Sequence, residues 1–413
     1  MPISTMPTTR KPLSRRATFW SASSVLALCL WASAAASVLY PSYQADWKLT
    51  SVVITSVFGT YPVALLLVLI FFGGISDYVG RRRSILFGIV LIAISAVLFA
   101  VAPNVGWLFA ARALQGFGTG FAIGAASARL VENNISANPR FPSSMTTAST
   151  ATGLTLALVL SGVLAQLAPL PLVLSFVLLF VLAAFSFVFV ALTPDDRPSP
   201  TGERWRPQAL HLAPGTVRPF VLATISVSVA YTVGALFLSL ASSMARQLTH
   251  TSNLVVIGST LAVSSVVIGV TALLIQRVHA HLAIALGGVV SIGGLALMAA
   301  TASSGSLELL LLWSAVAGVG YSFAFTGGLS LLARTTPDRH RGATLSLLYL
   351  FSYLMQAVAA IGAGALATAI GLGPAIGVVA PIVAVLCVVA VVLAAVDFAG
   401  RRRDAVAALP ARG

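Results

Sequence analysis

Apolar residues follow one another along this chain in long runs that short polar segments interrupt. A helix needs about 20 mostly apolar residues to cross a bilayer, and its backbone must satisfy its own hydrogen bonds in lipid. The pattern therefore predicts twelve membrane-spanning helices. They cover approximately Thr18–Tyr40, Thr50–Phe72, Ser84–Ala102, Gly106–Ser127, Ser144–Leu167, Leu170–Leu192, Phe220–Ala241, Leu254–Ile275, Leu282–Thr301, Leu307–Leu332, Ala343–Ile370 and Ala375–Val396.

Composition supports the same interpretation. Only 8% of the 413 residues are charged and 58% are hydrophobic, with a mean hydropathy of +0.99. A soluble domain carries about 25% charged residues, and a chain this apolar would expose large aggregating patches in water. The two cysteines, Cys29 and Cys387, lie in separate apolar runs, so we expect neither a disulfide framework nor a metal centre.

The distribution of basic residues predicts an orientation. All but three of the 24 Lys and Arg residues fall in segments on the same side of the membrane as the amino terminus. Lys48 and Arg246 lie on the opposite side, and Arg112 lies inside a span. Because cytoplasmic loops are enriched in Lys and Arg, we expect both termini in the cytoplasm. The net charge of +14 then reflects topology, and no nucleic-acid partner is expected.

A polar, proline-rich segment divides the spans into two groups of six. We expect a tail over 1–17, a six-helix bundle over 18–192, a linker over 193–219, a second bundle over 220–398 and a tail over 399–413. A shift of about 202 residues superposes the bundles on matching glycine and aromatic positions. Such pairs include Gly116 with Gly318, Gly118 with Gly320, Phe121 with Phe323 and Gly162 with Gly364. Two similar bundles around a site near the midplane are typical of an alternating-access carrier.

The loop between the second and third spans contains Gly73, Asp77, Gly80, Arg81 and Arg82 in the sequence GGISDYVGRRRSI. Glycines permit a left-handed turn or close approach, Asp suits a helix N-terminus, and arginines pair with carboxylates or phosphates. The alternative is that the arginines only follow the positive-inside rule.

This spacing resembles the loop signature of the major facilitator superfamily, and the resemblance covers nearly the whole chain. It implies an all-α integral membrane protein with twelve transmembrane helices in two pseudo-symmetric six-helix bundles. It also implies that Asp77 and Arg81 form a charge latch between the bundles at the cytoplasmic face. We also expect the protein to lie in a bacterial inner membrane and to be a monomer.

The fourth span contains Arg112, Gln115 and Gly116 in the sequence RALQG. An arginine facing lipid costs about 2.5–3.5 kcal/mol, so this side chain should point into the bundle. The pattern resembles one in the fourth helix of proton-coupled exporters of the same superfamily, which implies proton coupling or binding of an anionic group. The alternative is a structural arginine bonded to backbone carbonyls. The fifth-span export signature is degraded, with Gln166 and Leu167 where Gly-Pro is expected.

Buried acids are missing from the predicted spans. None of the ten acidic residues lies in the middle of a span, so proton coupling would have to use Asp46, Glu308 or Asp77 near the membrane edges. No histidine lies in a span, and no phosphate-binding loop of the type GxxxxGK[ST] is present. We therefore expect neither an enzyme nor an ATP-driven pump, and no cofactor.

Six residues within spans are candidates for lining a central cavity, although each also fits helix packing or anchoring at the interface. They are Trp31, Tyr61, Tyr231, Tyr321, Tyr353 and Gln356. The favoured hypothesis is proton-driven export of small, apolar or weakly polar organic compounds, with protons and membrane lipids as further partners. The alternatives are uptake or facilitated passage of a neutral or anionic solute, and a non-transporting membrane sensor or lipid-modifying enzyme.

Overall fold

The computed structural model describes residues 14–73, 75–137, 141–195, 216–248, 253–336 and 341–407. These ranges form α-helices and one short 3-10 helix at Ile275–Arg277, without a β-strand. The N-terminal half contains α1 (Arg15–Ala35), α2 (Tyr40–Asp46), α3 (Ser51–Phe72), α4 (Ile75–Val79), α5 (Arg81–Ala100), α6 (Val105–Glu132), α7 (Phe141–Leu167) and α8 (Leu174–Ala191). The C-terminal half contains α9 (Val217–Leu248), α10 (Leu254–Leu274), α11 (Ala280–Ser304), α12 (Leu307–Thr335), α13 (Arg341–Ile370) and α14 (Leu372–Ala407).

Twelve of these helices have 18 residues or more, as the sequence predicts. Within the described ranges, eleven segments are long and apolar enough to cross a membrane. The long helix outside that set is α6, which carries Arg112, Gln115 and several glycines that lower its hydropathy. The prediction of an all-α membrane protein is confirmed.

Local sequence sets several helix ends. Ser14, Asn104, Asn253 and Ser306 cap α1, α6, α10 and α12, each with a side-chain oxygen that accepts a backbone N–H of the first turn. Gly371, with φ of 87°, is the one residue between α13 and α14. A residue without a Cβ adopts this conformation readily, so the chain can reverse there within one residue.

The first predicted span differs from the observed one. The sequence predicts one helix over Thr18–Tyr40, but α1 ends at Ala35 and the chain continues through turns into α2. Pro41 occupies the first turn of α2, where its missing N–H costs nothing. Because of this break, Tyr40 lies at the start of α2, where its hydroxyl can reach Arg112 of α6.

Equivalent glycines of the two halves make equivalent contacts. A Cβ added to Gly116 of α6 would strike the carbonyl oxygen of Tyr61 on α3, and one on Gly318 of α12 would lie 2.6 Å from that of Ser264 on α10. Serine hydroxyl pairs also link corresponding helices at different positions, with Ser23 and Ser149 joining α1 to α7 and Ser228 and Ser352 joining α9 to α13. This packing is what a duplicated half would produce.

Candidate functional site

Arg112 is fully buried in the N-terminal half, between α1, α2 and α6. Its guanidinium donates to the Tyr40 hydroxyl from Nε (2.9 Å) and from Nη2, and Nη1 donates to the Ser33 carbonyl oxygen (2.9 Å) and to Gln115 Oε1 (3.0 Å). These acceptors are a phenol, a backbone carbonyl and an amide. They accept from four of the five N–H donors of the guanidinium but do not neutralise its charge.

Aromatic rings complete the surroundings of this cation. The guanidinium carbon lies 5.4 Å from the centre of the Tyr40 ring and 5.7 Å from that of Phe99, within range of a cation–π interaction. Phe99 in turn stacks on Phe176 of α8 at 4.4 Å. The predicted inward orientation of Arg112 is therefore observed, and the side chain is sealed from solvent in this conformation.

Gln115 and Gly116 accompany Arg112 on α6 as the helical spacing suggests. Gln115 Oε1 accepts from Arg112, while its buried Nε2 has no hydrogen-bond partner among the described residues. Gly116 allows α6 to approach α3 at Tyr61. The repeat-related position of Arg112 holds Ser314, whose hydroxyl donates to the Leu310 carbonyl of its own helix. The charge is thus specific to one half.

Five aromatic rings converge near the middle of three helices of the C-terminal half. We call Tyr231 (α9), Tyr321 and Phe325 (α12), and Tyr349 and Tyr353 (α13) the aromatic cluster. Tyr231 lies at its centre, with ring centroids 4.8 Å from Tyr353, 5.9 Å from Phe325 and 6.4 Å from Tyr321 and Tyr349. Tyr231 and Tyr353 are buried, whereas the other three rings are half-buried.

Three cavity candidates predicted from the sequence lie outside the aromatic cluster: Tyr61, Gln356 and Trp31. Tyr61 is buried on α3, a helix of the other half that packs against α13, which carries Tyr349 and Tyr353. The Oε1 of Gln356 is buried without a hydrogen-bond partner among the described residues. Trp31 is buried on α1, and its Nε1 also lacks a described partner.

Two members of the aromatic cluster, Phe325 and Tyr349, were not among the residues that the sequence singled out. Both had a sequence signal, since Phe325 follows Tyr321 by four residues and Tyr349 precedes Tyr353 by four. Residues at this spacing share one face of a helix. The convergence of both pairs on Tyr231 depends on helix packing, which spacing alone does not reveal.

The loop between α3 and α5 makes contacts within the N-terminal half. Gly73 ends α3, and Gly80 precedes α5 with φ of 92° and ψ of 143°, a positive-φ conformation that glycine adopts readily. Arg81 contacts Ser76 Oγ (2.6 Å) and Glu132 Oε1 (3.3 Å). Asp77 lies in α4, and its side chain is outside the described residues. The cross-bundle latch therefore stays a prediction.

The end of α8 is held by two arginines. Arg82 donates to the Ala191 carbonyl oxygen, and Arg129 Nη2 donates to that of Pro194 over 2.8 Å. Cations suit the last carbonyls of a helix, which carry the negative end of its dipole. These contacts fix the point from which the chain leaves the N-terminal half for the linker.

The two halves are joined tightly at one end, where α3 and α10 begin and α7 and α13 end. We call this the sealed end. Among the described residues, three hydrogen bonds cross it, from Val52 N to Thr368 Oγ1 (2.9 Å), from Arg246 Nη1 to the Pro41 carbonyl oxygen (2.8 Å) and from Leu254 N to Gln166 Oε1 (2.8 Å). Gln166, which departs from the expected export signature, thus serves here as an acceptor for the first turn of α10.

Small residues bring the helices together at the sealed end. A Cβ on Gly364 of α13 would lie 2.7 Å from the Cβ of Thr55 on α3, and one on Gly162 of α7 would strike the Leu254 carbonyl of α10. Close approach at small residues is the usual packing mode of helices in membranes. The shift of 202 residues relates these two glycines, so the seal has the approximate symmetry of the repeat.

An apolar groove of about 610 Å³ lies elsewhere, on the N-terminal half alone. It is lined by α3, α5 and α6 through residues such as Phe71, Phe87 and Phe121, with Arg83 at its edge. Phe71 and Phe87 are about half exposed. A groove on one half with large exposed rings suits contact with lipid rather than a site between the halves.

One acid–histidine pair was not expected. His281 Nε2 lies 2.7 Å from Asp397 Oδ2 and ties the start of α11 to α14. The predicted final span ends at Val396, but α14 continues to Ala407 and carries Asp397 past that limit. Among the described residues, no group of three His, Cys, Asp or Glu side chains is placed to hold a metal ion.

Comparisons with known proteins agree with this architecture. The model of the Major Facilitator Superfamily matches residues 22–304 and 222–410. A mutant of the nucleoside transporter NupG superposes with a TM-score of 0.71 at 14% identity, covering 92% of this chain and 100% of that one. A POT family transporter in complex with 5-aminolevulinic acid gives 0.71 at 12% identity, covering 94% and 97%. At these identities the likeness shows the fold alone.

Two further relatives are similar. A bacterial homolog of the human lysosomal transporter Spinster, in an inward-facing and unoccupied conformation, superposes with a TM-score of 0.66 at 13% identity, covering 92% of this chain and 95% of that one. An uncharacterized transporter of Rickettsia bellii (strain RML369-C) is 41% identical over 71 residues. That match spans 17% of this chain and 18% of the relative's own length.

The chain belongs to the Major Facilitator Superfamily, since the family model covers nearly all of it. It is therefore a multi-span membrane transporter.

Proposed function

We propose that this transporter works by alternating access, in which residues 18–192 tilt against residues 220–398, and that it exports small, weakly polar organic compounds in exchange for protons. The observation that carries the proposal is the position of the sealed end relative to the aromatic cluster, Tyr61 and Gln356. The halves close on each other at one end, and the aromatic cluster, Tyr61 and Gln356 lie at mid-depth. A carrier needs its site at this depth so that either face can be reached.

The positive-inside rule supports the orientation that we propose, with both termini in the cytoplasm of a bacterial inner membrane. On that orientation the sealed end faces outward. Opening the sealed end would require breaking the contacts of Val52, Arg246 and Leu254 with the other half. The latch of Asp77 with Arg81 would then hold the cytoplasmic end closed in the outward-facing state.

Arg112 supports a role in coupling through charge rather than through its own titration. A guanidinium stays protonated in proteins, and its hydrogen-bond acceptors here are neutral. A proton that arrives or leaves elsewhere changes the electrostatic balance around this fixed cation. Asp46, Glu308 and Asp77, near the membrane edges, are the acids that we propose as carriers of that proton.

Uptake or passage of an anionic solute is the second candidate, and the uncompensated charge of Arg112 favours it. A solute carboxylate would pair with the guanidinium only if Tyr40 moved, because Arg112 is fully buried. This candidate predicts that transport slows when the solute acid is amidated.

Transport into proteoliposomes with an imposed pH gradient tests the proposal. We expect movement of neutral organic compounds that depends on the gradient. Movement that ignores the gradient would contradict proton coupling, and failure of every compound in a broad panel would favour a membrane sensor or enzyme. Unassisted leakage is measured in liposomes without protein.

Two variants sharpen this test. Arg112→Ala should abolish gradient-dependent transport, whereas Ser314→Ala, at the repeat-related position, should leave it near the wild-type level. Asp77→Asn should lower turnover while leaving substrate affinity in detergent intact. Normal coupled transport by Arg112→Ala would remove that residue from the mechanism, and equal loss of turnover and affinity in Asp77→Asn would contradict the latch.

A further inference from the structure

The aromatic cluster is an addition to the C-terminal half that the fold does not require. The shift of 202 residues relates Tyr321, Phe325, Tyr349 and Tyr353 to Thr119, Ile123, Thr147 and Ala151. The glycine contacts of α6 and α12 show that this register holds in the packing. The N-terminal half therefore packs the equivalent helices with small or aliphatic residues, and the rings are specific to the C-terminal half.

The electrostatic setting of the aromatic cluster is neutral. Every charged residue of α9, α12 and α13 lies within three residues of a helix end, and all five rings lie farther in. A charged ligand would gain no counter-charge from these three helices, and an uncompensated charge at this depth is costly. The setting favours an uncharged ligand.

The geometry of the rings favours a flat ligand. Tyr321, Phe325 and Tyr349 lie within 13–24° of parallel to Tyr231, and all three keep part of their surface uncovered. They converge on Tyr231 of the largely buried helix α9, and α3, which carries Tyr61, packs against α13 from the other half. A planar ring gains offset-stacked and edge contacts with such faces beyond simple apolar burial.

A hydrogen-bond acceptor is available next to this surface. Gln356 follows Tyr353 by three residues and Tyr349 by seven, so all three share one face of α13. Its Oε1 is buried without a partner among the described residues, which costs free energy unless a donor arrives. A ligand N–H group would supply that donor.

We propose that the aromatic cluster binds the transported compound and selects flat, uncharged heteroaromatic rings that carry an N–H donor for Gln356. This inference rests on the proposed transport function and adds the class of substrate and the residues that recognise it. Tyr321 and Phe325 supply stacking faces, and Gln356 supplies the acceptor.

Ligand-dependent thermal stabilisation of the purified full-length protein tests this class, because a ligand that binds only the folded state raises its stability by mass action. The probes are 2-quinolinone, its saturated analogue decahydroquinolin-2-one, and N-methyl-2-quinolinone. We expect 2-quinolinone to stabilise the protein and the saturated analogue to do so at least about threefold more weakly in apparent affinity. Equal binding of the flat and saturated probes, or binding of neither, would overturn the substrate class.

Substituting residues of the aromatic cluster by the repeat-related residues of the N-terminal half tests where binding occurs. Phe325→Ile and Tyr321→Thr place the repeat-related residue in α12, and each should weaken 2-quinolinone binding about three- to tenfold. Phe323→Ile, on the same helix but outside the aromatic cluster, is the matched control and should bind normally. Equal effects of all three variants would contradict binding at the aromatic cluster.

Gln356→Leu separates hydrogen bonding from stacking. The wild-type protein should prefer 2-quinolinone to its N-methyl form, and Gln356→Leu should lose that preference while retaining the preference for a flat ring. An unchanged preference would remove Gln356 from the site. Tetraethylammonium is included as a cationic probe, and tighter binding of this ion than of 2-quinolinone would show that the rings recognise cations instead.

Failure of this inference differs from failure of the proposed function. Cysteines introduced at the sealed end and at the opposite end report alternating accessibility whether or not quinolinones bind. Alternating accessibility without selective binding would overturn only the substrate class. Selective binding without any change in accessibility would overturn the transport cycle and leave the binding site in place.

Discussion

The guanidinium of Arg246, in the C-terminal half, donates a 2.8 Å hydrogen bond to the carbonyl oxygen of Pro41, in the N-terminal half. Pro41 directly follows Tyr40, whose hydroxyl accepts from Arg112. The short helix α2 therefore connects the buried cation of one half to the surface of the other. Breaking the bond of Arg246 would remove one of the contacts that hold α2 over Arg112.

Arg246→Gln should shift the protein towards conformations that are open at the sealed end. A hydrogen bond from a charged group contributes about 1.5–3 kcal/mol, which corresponds to a population change of about tenfold or more. Distance distributions between spin labels on α2 and α9 would measure the shift. Lys48→Gln removes an exposed charge just beyond α2 and should leave the distribution unchanged; a matching shift there would indicate a general effect of surface charge.

Gly364→Ala should prevent full closure of the sealed end, because the added Cβ would lie 2.7 Å from the Cβ of Thr55. We expect a strong loss of transport with the folded protein retained. Gly362→Ala is the control on the same helix, since a Cβ at Gly362 meets no atom within 4 Å. Cross-linking of cysteines at positions 52 and 368 should fall in Gly364→Ala only. Wild-type cross-linking in that variant would show that the helices can relax around the methyl group.

Tyr40→Phe should destabilise the protein by about 1.5–3 kcal/mol, because Arg112 loses an acceptor for two of its donors. The Phe ring keeps the cation–π contact, so the loss isolates the hydroxyl. Tyr43→Phe, on the same short helix, removes a buried hydroxyl without a hydrogen-bond partner among the described residues and should be neutral or slightly stabilising. Thermal unfolding in detergent measures both, and equal melting temperatures for the two variants would argue against the Arg112–Tyr40 bond.

Gly80→Ala should strain the turn before α5, since Gly80 has φ of 92°. A residue with a Cβ held in a sparsely populated backbone region costs about 1–3 kcal/mol, and transport should fall as the loop shifts. Gly124→Ala, inside α6 with open space around its Cα, should instead stabilise the protein by up to about 1 kcal/mol. Initial rates in proteoliposomes and thermal unfolding would check both, and an unperturbed Gly80→Ala would show that the turn can change conformation.

Sequence patterns predicted the elements far better than the contacts between them. Span lengths, the inward orientation of Arg112 and the turn at Gly80 follow from local chemistry. The partner of Arg112 does not, because Tyr40 lies 72 residues away on a helix that begins only after α1 breaks. The pairing of His281 with Asp397 spans 116 residues and could not be predicted either.

The reason is physical. In a soluble protein an apolar stripe identifies the buried face of a helix, but in a membrane the lipid-facing side is apolar as well. Helices such as α5 and α11 are apolar all round, so their sequences do not reveal how they are rotated. The aromatic cluster was therefore found only in part, through Tyr231, Tyr321 and Tyr353.

The cation at Arg112 has an electrical consequence. Its hydrogen-bond acceptors carry no negative charge, so the guanidinium experiences the field across the membrane as a nearly whole elementary charge. Moving one such charge through the full field is worth about 2.3 kcal/mol per 100 mV. If α6 travels along the membrane normal when the halves tilt, the resting voltage of the cell favours one orientation of the carrier over the other, even when no substrate is bound.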